Sequence, residues 1–131
     1  MILLDTHVWI RWFLPDDPLP PTLLERLENA EDLAVSAISC WEVVLLQQRG
    51  RIELPLQVNE WLFEATRGSS VVVIPISCEI ARLAGQLPEH HKDPADRLII
   101  ATAIERNIHL ASLDGVFVNY TELRGLLTTL S

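Results

Sequence analysis

The residues whose types and spacing carry the clearest chemistry are carboxylates. In the stretch His90-His91-Lys92-Asp93-Pro94-Ala95-Asp96-Arg97-Leu98-Ile99-Ile100-Ala101-Thr102-Ala103, two of them stand three positions apart at the mouth of an almost wholly apolar run. Pro94 suits the first position of a helix and Asp93 suits the N-cap before it. Asp96 then falls in the first turn, beside the positive end of the helix dipole. Asp-x-x-Asp is also close to a capping box, in which both acids satisfy free N–H groups and do no chemistry. The meaning of Asp96 therefore depends on whether other acids converge on it. Asp5 follows the apolar start Met1-Ile2-Leu3-Leu4, Glu42 lies near a helix start after Leu33-Ala34-Val35, and Asp114 comes just after Leu110-Ala111-Ser112. Glu42 has its own alternative, since Ser39-x-x-Glu42 is again a capping-box pattern.

Carboxylates crowded into one cleft raise one another's pKa, by up to about 3 to 5 units where they are buried. A divalent cation resolves the conflict. Hard oxygen donors, with no Cys or His at matching ligand spacing, favour Mg²⁺ or Mn²⁺ over Zn²⁺. Such an ion acidifies water and neutralises phosphate charge, which makes a phosphodiester the natural substrate. No basic side chain is obviously placed as a general base, so the ion must supply most of the activation.

Those acids converge only if the right elements carry them. Residues 1 to 4, Leu33-Ala34-Val35, Val71 to Ile74 and the segment around Leu110 read as short buried strands of the parallel-sheet type. Helical patterns separate them: from Val8 towards Pro15, Thr22 to Asn29 with Thr22 and Glu25 at capping-box spacing, Ser36 to Arg49 ending at Gly50, Leu56 to Thr66, and Cys78 to Leu87 capped by Ser77. Val116 to Tyr120 reads as a further strand or an extended link, and Thr121 to Leu130 as a final helix. This alternation predicts an α/β domain over residues 1–131, with three α/β/α layers and a mainly parallel central sheet. In such sheets ligands bind outside the carboxyl ends of the strands. Asp5 and Asp114 sit at strand ends, and Glu42 and Asp96 begin helices that return from the same edge, so all four acids can share one cleft.

Bulk properties narrow the classes. The 131 residues, 49% of them hydrophobic, suit one compact domain. The start meets Asp5 after three apolar residues and has no basic leader, so neither a signal peptide nor a membrane span is expected, and a cytoplasmic location is. Ten basic residues face 18 acidic ones, for a net charge of −8, and Lys92 is the sole lysine. A polyanion must then be met by local arginines and bound cations instead of an overall basic field. Arg49 and Arg51, beside Gly50, are available for phosphate contact, or are solvated arginines at a helix end. Cys40 and Cys78 match no metal or redox spacing and read as reduced thiols in packed positions. Trp9, Trp12 and Phe13 form a helical stripe that reads as core before it reads as a partner surface. His90 and His91 lie in the loop of Pro88 to Lys92, lining a site or simply exposed.

The ordered segments Leu3-Leu4-Asp5-Thr6-His7-Val8-Trp9, Ser36-Ala37-Ile38-Ser39-Cys40-Trp41-Glu42-Val43, His91-Lys92-Asp93-Pro94-Ala95-Asp96-Arg97-Leu98-Ile99 and Leu110-Ala111-Ser112-Leu113-Asp114 resemble the motifs of PIN domains. The resemblance is nearest to the VapC-type toxins of bacterial toxin-antitoxin pairs and spans nearly the whole chain. Each motif alone is weak, but the ordered set is specific. It implies a Mg²⁺- or Mn²⁺-dependent endoribonuclease acting on RNA, with Asp5, Glu42, Asp96 and Asp114 as the acidic quartet that is both catalytic and metal-binding. It further implies a homodimer and a small antitoxin whose tail fills the active-site groove. Asp93 matches an additional acid of the subgroup and is kept as a cap or supporting group. Thr6 and Ser112 match small hydroxyl positions near the site, Ser112 standing where many relatives carry Thr. Arg97 matches the same pattern and could orient a carboxylate, reach phosphate or form a structural ion pair.

Rival readings fare less well. A receiver-like signalling module would need paired acids after the first strand and a late-strand lysine, whereas Lys92 is elsewhere. A dehalogenase-type phosphatase would need an acid where His7 stands. A catalytically silent interaction domain would not explain four acids at these positions.

Overall fold

The computed structural model describes residues 1–14, 16–90, 93–123 and 125–128. His91, Lys92, Pro15 and the end of the expected C-terminal helix lie outside the described residues.

Five parallel strands, β1 (Ile2–Leu4), β2 (Leu33–Ser36), β3 (Val71–Ile74), β4 (His109–Ala111) and β5 (Leu127–Thr128), form one sheet in the order β3-β2-β1-β4-β5. The register pairs Leu3 with Ala34 and Leu110, and Leu4 with Val35 and Ala111. Because successive strand side chains point to opposite faces, these two rows feed two different cores. Leu3, Ala34 and Leu110 pack with Ile80, Ala84, Ile99, Ile100 and Ala103, whereas Leu4, Val35 and Ala111 pack with Val8, Trp9, Leu23, Leu27, Val43 and Trp61. The sheet is therefore a middle layer between helices α5 (Cys78–Gln86) and α6 (Pro94–Arg106) on one side and α1 (Thr6–Phe13), α2 (Pro21–Glu28) and α4 (Val58–Glu64) on the other. Helix α3 (Ala37–Gln48) reaches both, with Ile38 packed against the first core and Val43 buried in the second.

The apolar run after Asp96 is the enclosed element its composition predicts: Ala95 and Ile99 to Ala103 are buried. Asp93 caps the helix, its Oδ1 accepting the Ala95 N–H at 2.9 Å, with Pro94 at the first helical position. At the far end Asn107 takes the left-handed conformation that terminates the helix and turns the chain into β4.

Five expectations need correction. Helix α2 starts at Pro21 with no side-chain cap, because Pro20-Pro21 preset the helical entry and leave Thr22 inside the first turn. Ser39 and Glu42 are not a capping box, since Ser36 caps α3 three residues earlier through the Ile38 N–H. Val116 to Tyr120 is mostly a 3-10 helix (Gly115–Asn119), and the expected final helix is replaced by a 3-10 turn (Thr121–Leu123) and then strand β5. Both cysteines are free, but only Cys40 is half-buried, while Cys78 is exposed at the start of α5. Trp9 is wholly buried and meets Trp61 at 5.1 Å between ring centres, and Phe13 meets Trp61 edge-on, so the aromatic stripe is core.

Candidate active site at the carboxyl edge of the sheet

The carboxyl ends of β1, β2 and β4 open on one edge, and α3 and α6 start from it. Asp5 leaves β1 while its N–H still bonds the Ala111 carbonyl at 3.0 Å, so it stays fastened to β4. It is also the N-cap of α1, with Oδ1 accepting the Val8 N–H at 2.8 Å. Its other oxygen accepts from the Ser112 hydroxyl at 2.5 Å, and Ser112 Oγ in turn accepts the Asp114 N–H at 3.0 Å. One buried serine thus ties the acid after β1 to the acid after β4. Asp114 also caps the following 3-10 helix through the Val116 N–H at 2.9 Å.

A second hydroxyl group serves Glu42. Thr6 Oγ1 donates to Glu42 Oε1 and lies 2.8 Å from Ser39 Oγ. Helix α3 begins at Ala37, which sets Ser39 and Glu42 one turn apart on the same face, turned towards α1. Ser39 is the residue that the capping pattern hid. The i, i+3 spacing from Glu42 was the available signal, and it points to a shared face as readily as to a cap.

Only 4% of Asp5 is exposed. Burial pushes its carboxyl above the usual range, with the negative charge of Asp114 adding to the rise, against the Ser112 and Val8 hydrogen bonds and nearby His7, which lower it. Glu42 is raised in the same way, first by burial and then by Asp93 and Asp5, against its bond from Thr6 and the charge of His7. Asp5 therefore lies in the field of Asp114, and Glu42 in the fields of Asp93 and Asp5. Asp96 stands half-buried in the first turn of α6 at the same edge. His7, exposed in the first turn of α1, influences both buried acids, a proximity that its place beside Asp5 in sequence already suggested.

The side chains that hold Asp5 and Glu42 are neutral hydroxyls, and the ion pair of Arg11 with Asp17 lies at the other end of α1. Hydroxyl donors fix a carboxylate's direction without cancelling its charge. A buried acid so arranged fits a hard divalent cation, and the all-oxygen donor set fits Mg²⁺ or Mn²⁺. Among the described residues, no three His, Cys, Asp or Glu side chains are already close enough to form a ready-made cation site.

Arg97 has a structural engagement. Its guanidinium donates to the carbonyls of Ala84, Leu87 and Pro88 at 2.8, 2.8 and 3.0 Å. These are free carbonyls at and beyond the end of α5, so Arg97 closes that helix and pins it to α6. Arg49 and Arg51 are exposed, and so is His90, whose ring packs edge-on to Tyr120 at 4.9 Å. No helix among the described residues is long and apolar enough to cross a membrane.

Comparison with known proteins places this geometry in context. The PIN domain family model matches residues 2–123. The chain is 38% identical over 114 residues, 86% of each protein, to the ribonuclease VapC22 of Mycobacterium tuberculosis. Among solved structures it is similar to VapBC2 of Rickettsia felis bound to a promoter DNA fragment, with a TM-score of 0.70 at 20% identity and all of both chains covered. It is also similar to a toxin-antitoxin complex from Klebsiella pneumoniae, with a TM-score of 0.63 at 21% identity, over 100% of this chain and 97% of the other.

Proposed function

The chain belongs to the PIN-domain family, and from that premise we propose that it is a divalent-metal-dependent endoribonuclease, the toxin of a VapBC-type pair. The observation that carries the reading is the buried Asp5, held only by uncharged donors, the Ser112 hydroxyl and a backbone N–H, among the described residues, beside Glu42 and Asp114 at the sheet edge. The ribonuclease relative, matched over most of both chains, supports the choice of RNA.

In this reading Asp5, Glu42, Asp96 and Asp114 would hold Mg²⁺ or Mn²⁺. When bound, such an ion supplies charge neutralisation at a phosphodiester and acidification of water. The chain's own residues set the stage for it. Ser112 aims Asp5 and spaces it from Asp114, and Thr6 aims Glu42. Asp93 fixes the start of α6, and Arg97 fixes that helix against α5, which together place Asp96. Burial of Asp5 keeps bulk water from competing for its oxygens. The RNA strand approaches an acidic protein of net charge −8, so binding relies on the cation and on exposed arginines such as Arg49 and Arg51. The similar structure described as a toxin-antitoxin complex supports a small antitoxin as partner, and we assign to this protein a homodimeric, growth-inhibiting role with the antitoxin covering this edge.

The test is cleavage of RNA by the purified chain in Mg²⁺ or Mn²⁺, with and without chelator, beside Asp5→Asn and Asp96→Asn. Cleavage should require the cation and be abolished in both variants while the fold persists. Cleavage in chelator, or by either variant at full rate, would end this reading.

A further inference from the structure

Ser39, Thr6 and Glu42 form a linear chain of oxygens whose direction follows from counting protons. An ionised carboxylate has none to give, so the Thr6 hydroxyl must donate its single proton to Glu42. Thr6 can then only accept at its other contact, which makes Ser39 the donor across their 2.8 Å separation. Both hydroxyls are buried, at 0% and 1% exposure, so water does not compete for these bonds. The chain also crosses between elements, from α3 to the first residue of α1 and back to α3. Apart from Glu42 itself, Ser39 is the one hydrogen-bond partner of the Thr6 hydroxyl among the described residues, so it is what keeps that hydroxyl turned towards Glu42 in preference to another rotamer.

We propose that Ser39 is a positioning residue for Glu42: it locks the Thr6 hydroxyl onto Oε1, so that the remaining carboxylate oxygen is held in one direction for a cation. The proposal rests on the reading of Glu42 as a cation ligand. It assigns the serine a role that neither capping nor packing would give it. Supporting groups of this kind typically change metal affinity by about 10- to 100-fold when removed.

Calorimetric titration of the full chain with Mn²⁺ alone tests it. Ser39→Ala should weaken Mn²⁺ binding by about tenfold, and Ser39→Thr, which keeps the hydroxyl, should restore most of the affinity. In a Thr6→Val background Ser39→Ala should cost nothing further, because the link it acts through is already gone. Wild-type affinity in Ser39→Ala, or losses that simply add in the double variant, would overturn the proposal while leaving the metal reading intact if Glu42→Gln still weakens Mn²⁺. Unchanged Mn²⁺ affinity in Glu42→Gln would overturn both. Should Ser39→Ala fail to fold, Ser39→Cys, with its weak donor, provides the same comparison. An affinity between wild type and Glu42→Gln supports the relay, and an affinity equal to wild type refutes it.

Discussion

Replacing Asp5 by Asn separates the demands of folding from those of cation binding. Asp5 is almost fully buried and its carboxyl is raised by that burial. The sign follows from linkage. A raised acid in the folded state means that the native protein holds its proton to higher pH than the unfolded chain does. The contribution of Asp5 to stability is therefore greatest below its ordinary value of 3.8, falls as pH rises from there towards the raised native value, and stays at the lower level above it. Asn has the same shape, caps helices as well as Asp, and its amide nitrogen can donate to Ser112 Oγ. In chelator at neutral pH, Asp5→Asn should thus melt above the wild type. For 131 residues the unfolding entropy is about 275 cal/mol/K, so each 1 kcal/mol moves Tm by roughly 4 °C. A cation present at about 100 times its Kd stabilises by about 2.7 kcal/mol, or roughly 10 °C. Wild type should gain that much on adding Mn²⁺ and Asp5→Asn only a small part of it, so that the order of melting temperatures reverses. Differential scanning calorimetry with and without Mn²⁺ reads both effects. Equal Mn²⁺ gains in the two proteins, or a variant less stable than wild type in chelator, would refute the argument.

Other outcomes follow from the same contacts. Ser112→Ala removes the largest influence that lowers Asp5, so the Asp5 carboxyl should move further up, seen by side-chain carbon NMR titration in chelator, and Mn²⁺ affinity should fall by about 10- to 100-fold. Arg97→Ala should cost about 2 kcal/mol, since charged donors to the carbonyls closing α5 are lost from a half-buried site, lowering Tm by roughly 8 °C in a thermal melt. Trp9→Ala should cost about 3 to 5 kcal/mol, from a fully buried ring that also donates to the Ala65 carbonyl at 3.0 Å, and urea unfolding would measure it.

Most of the sheet was legible because β1 to β4 are short apolar runs, each followed after at most three residues by a helix start. The acids at its edge were legible because Asp5 and Asp114 punctuate those runs. Residues 121–128 were not, because β5 is two residues long and its identity is set by its partner. Leu126 and Thr128 carry the carbonyls that accept from Leu110 and Ser112, a fact no local pattern encodes. Arg97 was legible as a charge but not as a cap, since its acceptors are backbone carbonyls nine to thirteen residues earlier that only folding brings near. The role of Ser39 was obscured by a competing local rule. Ser36 takes the cap first, and the helix that begins there rotates Ser39 and Glu42 inward together.

The choice of hydroxyls over cations as partners for the two buried acids explains a feature of the chain as a whole. Had Arg or Lys paired with Asp5 or Glu42, each acid would be lowered and folding eased, but the pair would already be neutral and offer little to a divalent ion. Ser112, Thr6 and Ser39 give direction without neutralisation, and the fold bears the desolvation of Asp5 in return. That arrangement also accounts for the placement of Arg97, one residue after Asp96, where its guanidinium is occupied by the end of α5. Freed from those carbonyls, a guanidinium there would be a resident counter-ion for the acidic edge. Shortening α5 by one turn should therefore release Arg97, lower stability in chelator through the loss of its bonds to the α5 carbonyls, and weaken Mn²⁺ binding. A shortened variant that binds Mn²⁺ as tightly as the parent would show that the engagement of Arg97 serves packing alone.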